Sequence, residues 1–382
     1  MIYLDNAATT KPKKEVIEAM MPYLTDYYGN PSAIYQFAGE AKAAIENARE
    51  SCARLIGAKA SAIHFTSGGT ESDNWALVQA VRLNPDKKHI IIIRIEHHAI
   101  LHTAQALRLE GCEVTVLGVD ERGRINPKDI EDAIRPDTAL ISVMTANNEI
   151  GTIEPIEEIG RIAHEHGVLF HTDAVQAFGQ IPLDVNKLHV DLLSASAHKI
   201  YGPKGVGLLY IKEGLKFGSL LHGGGQERNR RAGTENVAGI VGFGKACEIA
   251  YESLDDRMKR ESELRDHLIH RVLTEISDVN LNGDPVHRLP NNANFSFRGI
   301  EGESLLIMLD MRGICASSGS ACTAGSIDPS HVLIATGLSP EEARESVRLT
   351  LSDETTMEEI DQTVEALKQI VHDLREMSPL YN

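Results

Sequence analysis

VLFHTDAVQAFGQIPLDVNKLHVDLLSASAHK, residues 168–199, contains two short apolar runs that are each followed at once by polar side chains. The first run, 168–172, is followed by Asp173, and the second, 191–195, by a segment that ends at Lys199. Short apolar runs bounded by polar and turn residues are typical of buried strands. The stretch therefore predicts two strands with polar side chains beyond their carboxyl ends, where open α/β sheets bind their ligands.

The same alternation extends in both directions along the chain. Further strand-like runs lie at 62–66, 90–95, 113–117, 139–143 and 205–211. Segments of helical length separate most of these runs, and 38–56 carries its apolar residues at helical spacing. Because alternating strands and helices favour a parallel sheet with helices on both faces, we predict an α/β fold with a mainly parallel seven-stranded sheet.

The chain has 382 residues, which at roughly 150 residues per domain suggests two domains. We expect a large domain over 14–258 and a smaller α+β domain formed by 1–13 together with 259–382. The highly charged segment 251–266 predicts a connecting helix between them. An apolar stripe in 357–377 predicts a final helix that packs against the smaller domain.

Composition excludes several classes of protein. The 38 Lys and Arg residues against 55 Asp and Glu give a net charge of −17, which argues against nucleic acid as the main ligand. Apolar runs such as 305–309 are far shorter than the roughly 18 residues of a membrane span. The start of the sequence shows no secretion signal, and the five scattered cysteines suggest no disulfide framework. We therefore expect a protein of the reducing cytoplasm.

Polar residues and glycines follow several of the predicted strands, which places them at one edge of the sheet. They occur at 67–71 (SGGTE), 96–98 (EHH), 147–149 (NNE), 173–176 (DAVQ) and 196–199 (SAHK). Each has an ordinary structural explanation, such as a glycine turn, a satisfied histidine, an Asp helix cap or a surface lysine. Their coincidence at one edge favours a composite site over five unrelated features.

One cofactor suits this combination of residue types. Pyridoxal phosphate needs a lysine for its aldehyde, a carboxylate for its pyridine nitrogen and an anion cradle for its phosphate. Lys199, Asp173 and the amides of Gly69 and Thr70 before a helix can supply these groups. A metal site is disfavoured because there is no Cys-x-x-Cys and the two histidines of EHH are adjacent. A nicotinamide site is disfavoured because the first strand–helix turn lacks G-x-G-x-x-G.

Long motifs in a fixed order resemble the class I cysteine desulfurases of the NifS/IscS type. They are YLDNAATT (3–10), GNPSA (29–33), FTSGGTESDN (65–74), ANNEIGTIEPI (146–156), HTDAVQAFGQIPLD (171–184), SASAHKIYGPKGVG (194–207), HGGGQERNRRAGTEN (222–236) and SSGSACTAG (317–325). The resemblance covers nearly the whole chain and implies the fold of the fold-type I pyridoxal phosphate enzymes, usually homodimeric. It also implies an activity: removal of sulfur from L-cysteine to give L-alanine and an enzyme-bound persulfide.

The resemblance assigns the chemistry to four residues. It implies that Lys199 is the Schiff-base lysine and the acid–base group at the substrate α-carbon. Asp173 would pair with the pyridine nitrogen, and His97 would stack on the ring and assist proton transfer. Cys322, in a loop of the smaller domain, would accept the sulfur and carry the persulfide.

The resemblance also assigns binding roles. Gln176 would hydrogen-bond the ring hydroxyl, and Thr234 would reach the phosphate of the neighbouring subunit. Asn148 would contact cofactor and substrate, and Arg348 would bind the substrate carboxylate through a bidentate fork. The phosphate would be held by Gly69, Thr70, Ser196 and His198.

The chain departs from the family pattern at three positions. Ala232 replaces the Ser of RSGT, Asp353 stands where relatives often have arginine, and Gln226 replaces a His of some relatives. None of these changes affects the lysine, the aspartate or the cysteine, but the first two put local contacts in doubt.

Residues around Cys322 distinguish it from the other cysteines. The run 317–326 has no large apolar side chain to anchor it, so we expect it to be exposed and mobile. The sequence predicts that three other cysteines, Cys52, Cys112 and Cys247, pack in the interior and that Cys315 ends a strand.

Other functions remain open at this point. A related pyridoxal phosphate enzyme, such as an aminotransferase or a selenocysteine lyase, would share Lys199 and Asp173. Cys322 in its small-residue loop is the discriminating feature, because an aminotransferase has no need of it. A catalytically silent scaffold of an iron–sulfur assembly complex has no need of the cofactor positions. The sequence does not name the sulfur acceptor, which could be an iron–sulfur scaffold, a tRNA-thiolation carrier or a thiamine pathway protein.

Overall fold

The computed structural model describes residues 1–318 and 328–377. Its helices are α1 (Lys14–Met20), α2 (Pro22–Thr25), α3 (Gln36–Leu55), α4 (Gly69–Leu83), α5 (His98–Leu109), α6 (Pro127–Ala133), α7 (Ile156–Glu165), α8 (Gln226–Asn229), α9 (Val237–Glu275), α10 (Gly302–Asp310), α11 (His331–Ala335), α12 (Pro340–Arg344) and α13 (Met357–Met377). Its strands are β1 (Ile2–Tyr3), β2 (Ile63–Thr66), β3 (His89–Ile93), β4 (Glu113–Leu117), β5 (Thr138–Ser142), β6 (Leu169–Asp173), β7 (Leu192–Ser196), β8 (Gly207–Ile211), β9 (Val279–Asn282), β10 (Asn292–Phe297), β11 (Ile314–Cys315) and β12 (Ser346–Thr350).

A seven-stranded sheet in the order β2–β8–β7–β6–β5–β3–β4 organises the larger part of the molecule. Strands β7, β6, β5, β3 and β4 are parallel neighbours, whereas β8 is antiparallel to both β2 and β7. The apolar strand β3, HIIII, is buried along its whole length, as expected for a strand covered on both faces. The predicted mainly parallel seven-stranded sheet is confirmed.

Helices cover both faces of this sheet, as the alternation predicts. Because successive side chains of a strand point to opposite faces, Ile91 and Ile93 join one apolar cluster, which includes residues of α3 and α9. Ile90 and Ile92 join another, which includes residues of α4 and α5. The helices therefore form a layer on each side, and the carboxyl ends of the strands stay open at one edge.

A third apolar cluster lies on the three-stranded antiparallel sheet β12–β10–β9. Phe295 of β10 and Leu367 of the predicted final helix, α13, are fully buried in it. Helix α9 contributes Phe243 to the cluster of the large sheet and Leu268 to this one, so one helix connects the two cores. The division of the chain at 258/259 remains a prediction.

The segment 4–10 lies between the two sheets and contacts elements on both sides. The Asn6 side-chain amide donates to the Thr350 carbonyl at 2.8 Å, and the Ala7 amide donates to the Thr350 hydroxyl at 2.9 Å. On the other side, the Thr10 amide donates to the His198 carbonyl at 2.9 Å. This segment therefore holds β12 beside the end of β7.

Four cysteines within the described residues are free thiols. Cys52 and Cys247 are fully buried between α3 and α9, Cys112 is buried before β4, and Cys315 ends β11, as predicted. Cys322 lies outside the described residues. None of the described helices is both long enough and apolar enough to cross a membrane.

Candidate active site

A cavity of about 200 Å³ opens at the carboxyl ends of the parallel strands. Nine of the residues singled out in the sequence line it: Gly69, Thr70, His97, Asn148, Asp173, Gln176, Ser196, His198 and Lys199. The structure thus brings together side chains that follow five different strands. Arg348 and Thr234 are not among the lining residues, and Cys322 is not described.

The N-terminus of α4 forms one wall of this cavity. Gly69 approaches the loop after β6 so closely that a Cβ atom would lie 2.6 Å from Val175 Cγ2, so only glycine fits without displacing Val175. The first amides of a helix have no acceptor within the helix and carry its positive dipole end. Gly69 and Thr70 therefore present N–H donors to the cavity, and Ser196 and His198 line it with them. Such a wall can bind an anion.

Lys199 ends the single 3₁₀ turn that follows β7. Its Nζ donates to the backbone carbonyls of Ala7 at 2.6 Å and Ala8 at 2.7 Å. Gln176 Nε2 donates to the same Ala7 carbonyl at 3.0 Å. The amine is therefore held inside the cavity by the segment between the two sheets.

Asp173 is the last residue of β6 and is almost fully buried. Its Oδ1 accepts from the Val175 amide at 2.9 Å, so the side chain does cap the turn that follows the strand. Burial raises the pKa of Asp173 to about 6, although the Val175 N–H and the Lys199 ammonium act in the opposite direction. A cationic nitrogen near this carboxylate would restore its ionised form.

His97 precedes α5, and its Nδ1 accepts from the Ala99 amide at 3.1 Å. Burial lowers the pKa of His97 to about 4, and the Lys199 ammonium and the imidazoles of His98, His331 and His102 lower it further. At neutral pH the ring is therefore uncharged, and the bond from Ala99 fixes its orientation. Because Nδ1 accepts the Ala99 N–H, the neutral ring carries its proton on Nε2, from which it can donate, and its face can stack on another ring.

Arg348 lies beside the cavity, buried in β12 with only 2% of its surface exposed. Its Nη1 donates to the Asn148 carbonyl at 2.8 Å, and its Nη2 donates to Asp5 Oδ1 at 2.8 Å. Its Nε has no hydrogen-bond partner among the described residues. The guanidinium is thus held next to Asn148, which lines the cavity, and its Nε–H is available as a hydrogen-bond donor.

Thr234 is exposed and lies at a separate cavity of about 70 Å³. The loop that carries it is fixed to α4 because the Arg231 guanidinium donates twice to the Glu71 carboxylate, at 2.9 and 3.0 Å. Within one chain, Thr234 therefore does not reach the main cavity.

Comparison with known proteins identifies the family of the chain. Residues 2–363 match the family model described as aminotransferase class-V. The chain belongs to this family.

One relative is a cysteine desulfurase IscS from Clostridium botulinum (strain Hall). It is 54% identical to the chain over 100% of the chain and 96% of its own length. A cysteine desulfurase IscS from Methanosarcina thermophila is also 54% identical, over 99% of the chain and 94% of its own length. The solved structure of a NifS-like protein superposes with a TM-score of 0.91 at 38% identity, over 97% of the chain and 99% of that structure. The chain is thus a class-V family member of the IscS/NifS-like kind, with the fold of the fold-type I pyridoxal phosphate enzymes.

Enzymes of this family depend on pyridoxal phosphate, and the cavity in the present structure fits that cofactor. It holds an amine, a carboxylate, a neutral imidazole and a helix N-terminus in one small space. It also contains a buried oxygen, Oδ1 of Asp73, that has no hydrogen-bond partner among the described residues. These donors and acceptors match an aldehyde, a protonated pyridine nitrogen and a phosphate.

Sequence reasoning missed three parts of this site. Asp73 was part of a quoted motif, but helical spacing alone gave no reason to place it in the cavity. Glu96 was placed at the sheet edge as part of EHH but was given no role; it is fully buried and accepts from the Met144 amide at 2.8 Å. The carbonyls of Ala7 and Ala8 have no signature in the sequence, since every residue has a carbonyl.

Proposed function

We propose that the protein is a cysteine desulfurase that removes sulfur from L-cysteine with the help of pyridoxal phosphate. The observation that carries the proposal is the position of the Lys199 amine in one cavity with Asp173, His97 and the N-terminus of α4. Full-length identity of 54% to curated cysteine desulfurases supports the same conclusion.

The cofactor, when bound, supplies an electron sink that stabilises negative charge at the substrate α-carbon. Gly69, Thr70, Ser196 and His198 would hold its phosphate, and Gln176 would bond its hydroxyl group. Asp173 would hold the proton of the ring nitrogen in place by carrying the opposite charge.

Proton transfers fall to Lys199 and His97. The freed Lys199 amine would take the proton from the substrate α-carbon, because it is the basic group held within the cavity by the Ala7 carbonyl. His97 is uncharged at neutral pH and carries its proton on Nε2, because Nδ1 accepts the Ala99 N–H. It would assist proton transfer by donating from Nε2 to the substrate, and it would take up the thiol proton at Nδ1 once the bond from Ala99 opens.

Substrate binding would use Asn148 and Arg348. The unpartnered Nε of Arg348 is available for a carboxylate, while the contacts with Asn148 and Asp5 fix the guanidinium. The backbone of Arg348 also pairs with that of Ser317, the first residue of the run 317–326 that contains Cys322. Arg348 is therefore fixed next to the start of this run.

Cys322 would accept the sulfur as a persulfide and pass it to an acceptor protein. Chemically, the Cys322 thiolate attacks the substrate sulfur, the carbon–sulfur bond breaks, and its electrons remain with the three-carbon fragment that becomes L-alanine. Acceptors of iron–sulfur cluster assembly or of tRNA and thio-cofactor synthesis fit this product equally well.

We further propose that the working unit is a homodimer. Thr234 lies away from the cavity of its own chain, as expected if it serves the phosphate of the neighbouring subunit. A concentration of exposed apolar side chains between residues 17 and 37 also favours an interface; it includes Ile17, Leu24, Tyr28, Ile34 and Tyr35. We place this dimer in the cytoplasm, where free thiols such as the four described here stay reduced.

The direct test is chemical labelling of Lys199. Purified protein loaded with pyridoxal phosphate is reduced with borohydride, and we expect the cofactor on the peptide that contains Lys199. In parallel, L-cysteine together with dithiothreitol, which reduces the persulfide, should yield alanine and sulfide in equal amounts. The exposed Lys204 provides the matched control, so Lys204→Ala should label and turn over like the natural protein. Turnover of cysteine by Lys199→Ala would contradict the proposal.

A further inference from the structure

A second carboxyl group, Asp73 of α4, lines the cavity beside Asp173. Only 1% of its surface is exposed, and its Oδ1 has no hydrogen-bond partner among the described residues. One ligand atom from each of Asp73, Asp173 and His97 lies within 4.8 Å of the other two. Two buried carboxyl groups therefore share one small space with a neutral imidazole.

Among the described residues, no Lys or Arg forms an ion pair with Asp73 that would balance a negative charge on it. The closest ring nitrogen, His171 Nε2, is 3.7 Å from Asp73 Oδ1, but burial lowers the pKa of His171 to about 3. Both nitrogens of His171 already have hydroxyl partners, Ser142 at 2.8 Å and Ser194 at 3.0 Å. Glu96, also fully buried behind the cavity, would only add like charge.

The two carboxyl groups are not equivalent. Asp173 accepts the Val175 N–H at 2.9 Å, and the Lys199 ammonium lowers its pKa. Burial together with the charge of Asp173 raises the pKa of Asp73 well above its usual value, and the Ser194 hydroxyl acts in the opposite direction. Since two like charges so close together in a buried site cannot both persist, the proton belongs on Asp73.

We propose that Asp73 is a positioning residue that remains protonated and donates this proton to Asp173, directly or through one water molecule, so that Asp173 alone carries the negative charge. A separation below 4.8 Å suits either arrangement. The protonated Asp73 side chain orients the Asp173 carboxylate, and the pair of carboxyl groups carries one negative charge and not two. The use of that charge, to hold a protonated ring nitrogen, rests on the proposed function.

Infrared spectroscopy of the full-length protein tests where the proton is. A protonated carboxyl group gives a C=O band that shifts in D₂O, and Asp73→Asn should remove one such band at neutral pH. Glu154→Gln is the positive control, because Glu154 is buried outside the cavity and burial raises its pKa to about 8, so this variant should remove a separate carboxylic-acid band. If Asp73→Asn leaves every carboxylic-acid band in place, Asp73 is ionised and the proposal fails.

Cofactor affinity tests the positioning role. We expect Asp73→Ala to weaken binding of pyridoxal phosphate about tenfold or more, the equivalent of one pKa unit at Asp173. Asp73→Asn keeps a neutral donor and should recover most of that loss, whereas Glu154→Gln should match the natural protein. Equal losses in Asp73→Ala and Asp73→Asn, with unchanged circular dichroism, would overturn the role of the donor. If the natural protein binds no pyridoxal phosphate, the proposed function fails, while the infrared result still locates the proton.

Discussion

Asp173 combines two roles that the sequence leaves as alternatives. It caps the turn after β6 through Val175, and it also lines the cavity next to Lys199. A cap needs only one oxygen that accepts a hydrogen bond, which an amide also provides. A charged partner for a ring nitrogen needs the carboxylate itself.

Asp173→Asn separates these roles. We expect the variant to fold and to bind pyridoxal phosphate but to lose most of its desulfurase activity, because an amide cannot stabilise a protonated nitrogen. Alanine release and cofactor absorbance measure the two properties. An unchanged turnover rate would leave Asp173 only its structural role as a cap.

Cys322 is the residue whose test matters most for the proposed activity. We expect Cys322→Ser to bind both cofactor and L-cysteine but to release neither alanine nor sulfide, because a hydroxyl cannot take up the sulfur. Mass spectrometry of the natural protein after exposure to cysteine should place the extra sulfur on the Cys322 peptide. Cys315→Ser is the control, since Cys315 ends β11 and should be dispensable. Extra sulfur on Cys315 would contradict the assignment.

Individual residues of the site were predictable where their chemical type is rare. Lys199 and Asp173 stood out because a lysine and an aspartate directly follow apolar strands. Asp73 did not stand out, since an aspartate on a helix is usually solvated and its burial follows only from the packing of α4. The contact of Arg348 with Asp5 spans 343 positions and has no local signal.

At the scale of elements, the packing of α3 on α9 depends on the absence of one side chain. A Cβ atom on Gly244 of α9 would lie 2.5 Å from Ala48 Cα of α3. The two helices therefore approach each other closely at this point, and Cys52 and Cys247 lie in the same contact, with their sulfur atoms 3.5 Å apart.

Gly244→Ala should therefore destabilise the protein. We expect a loss of about 1–3 kcal/mol in the free energy of unfolding, because the backbone of α3 has to move to admit the methyl group. Gly39→Ala, in the same helix pair but with open space around its Cβ position, should instead be neutral or stabilise by up to about 1 kcal/mol. Urea unfolding of both variants provides the comparison, and equal effects would show that close packing at Gly244 is not responsible.

The positions of helices and strands in the sequence were predicted more accurately than the directions of the strands in the sheet. The apolar runs and helical stripes identified the strands of the large sheet, α3 and α13 to within a few residues. The antiparallel direction of β8 was not predicted, because the pattern of an apolar run is the same in either direction. β8 also begins at Gly207 and not at 205, since Gly205 adopts a left-handed turn with φ of 77°.

At the scale of the whole molecule, buried acids and histidines set the pH dependence of stability. Burial raises the pKa of Glu149 and Glu261 to about 7 and that of Glu154 to about 8. Each of these groups keeps its proton in the folded protein, although the unfolded chain releases it near pH 4.3. Their contribution to stability is therefore lost as the pH rises to about 8.

Buried histidines act in the opposite sense at lower pH. Burial lowers the pKa of four of them to about 3 or 4; these are His64, His97, His171 and His198. The unfolded chain binds protons at these positions below pH 6.5 and the folded protein does not, so stability increases as the pH rises towards that value.

We therefore expect stability to fall as the pH rises from 6.5 to about 8, the range in which the histidines no longer oppose the carboxyl groups. The decline should approach about 1.4 kcal/mol per pH unit for each carboxyl group that is still protonated in the folded protein but ionised in the unfolded chain, and it should level off above pH 8. Chemical unfolding at pH 6.5, 7.5 and 8.5 measures it. Glu154→Gln should flatten this limb because one titrating group is removed, and a rise in stability of the natural protein over the same range would contradict the prediction.

Mixing of inactive variants tests the proposed dimer. If Thr234 completes the cavity of the neighbouring subunit, then Lys199→Ala and Thr234→Ala should each be defective alone. A mixed dimer contains one intact site, with Lys199 from one chain and Thr234 from the other, so mixing after dissociation should restore activity. Failure of mixing together with a monomeric sedimentation coefficient would refute the dimer.

The contacts that close the cavity also constrain when it can form during synthesis. Ala7 forms hydrogen bonds with Lys199, 192 positions later in the chain, and with Thr350, 343 positions later. Neither bond can form until its partner has been synthesised. While the ribosome is still translating, the strands of the large sheet can pair, since all of them have been made once Ile211 has emerged. The Ala7 and Ala8 carbonyls, however, have no fixed place until β12 has emerged. A nascent chain arrested before Thr350 should therefore hold a folded sheet with an open, incomplete pocket, and maturation of the site becomes one of the last events of biogenesis.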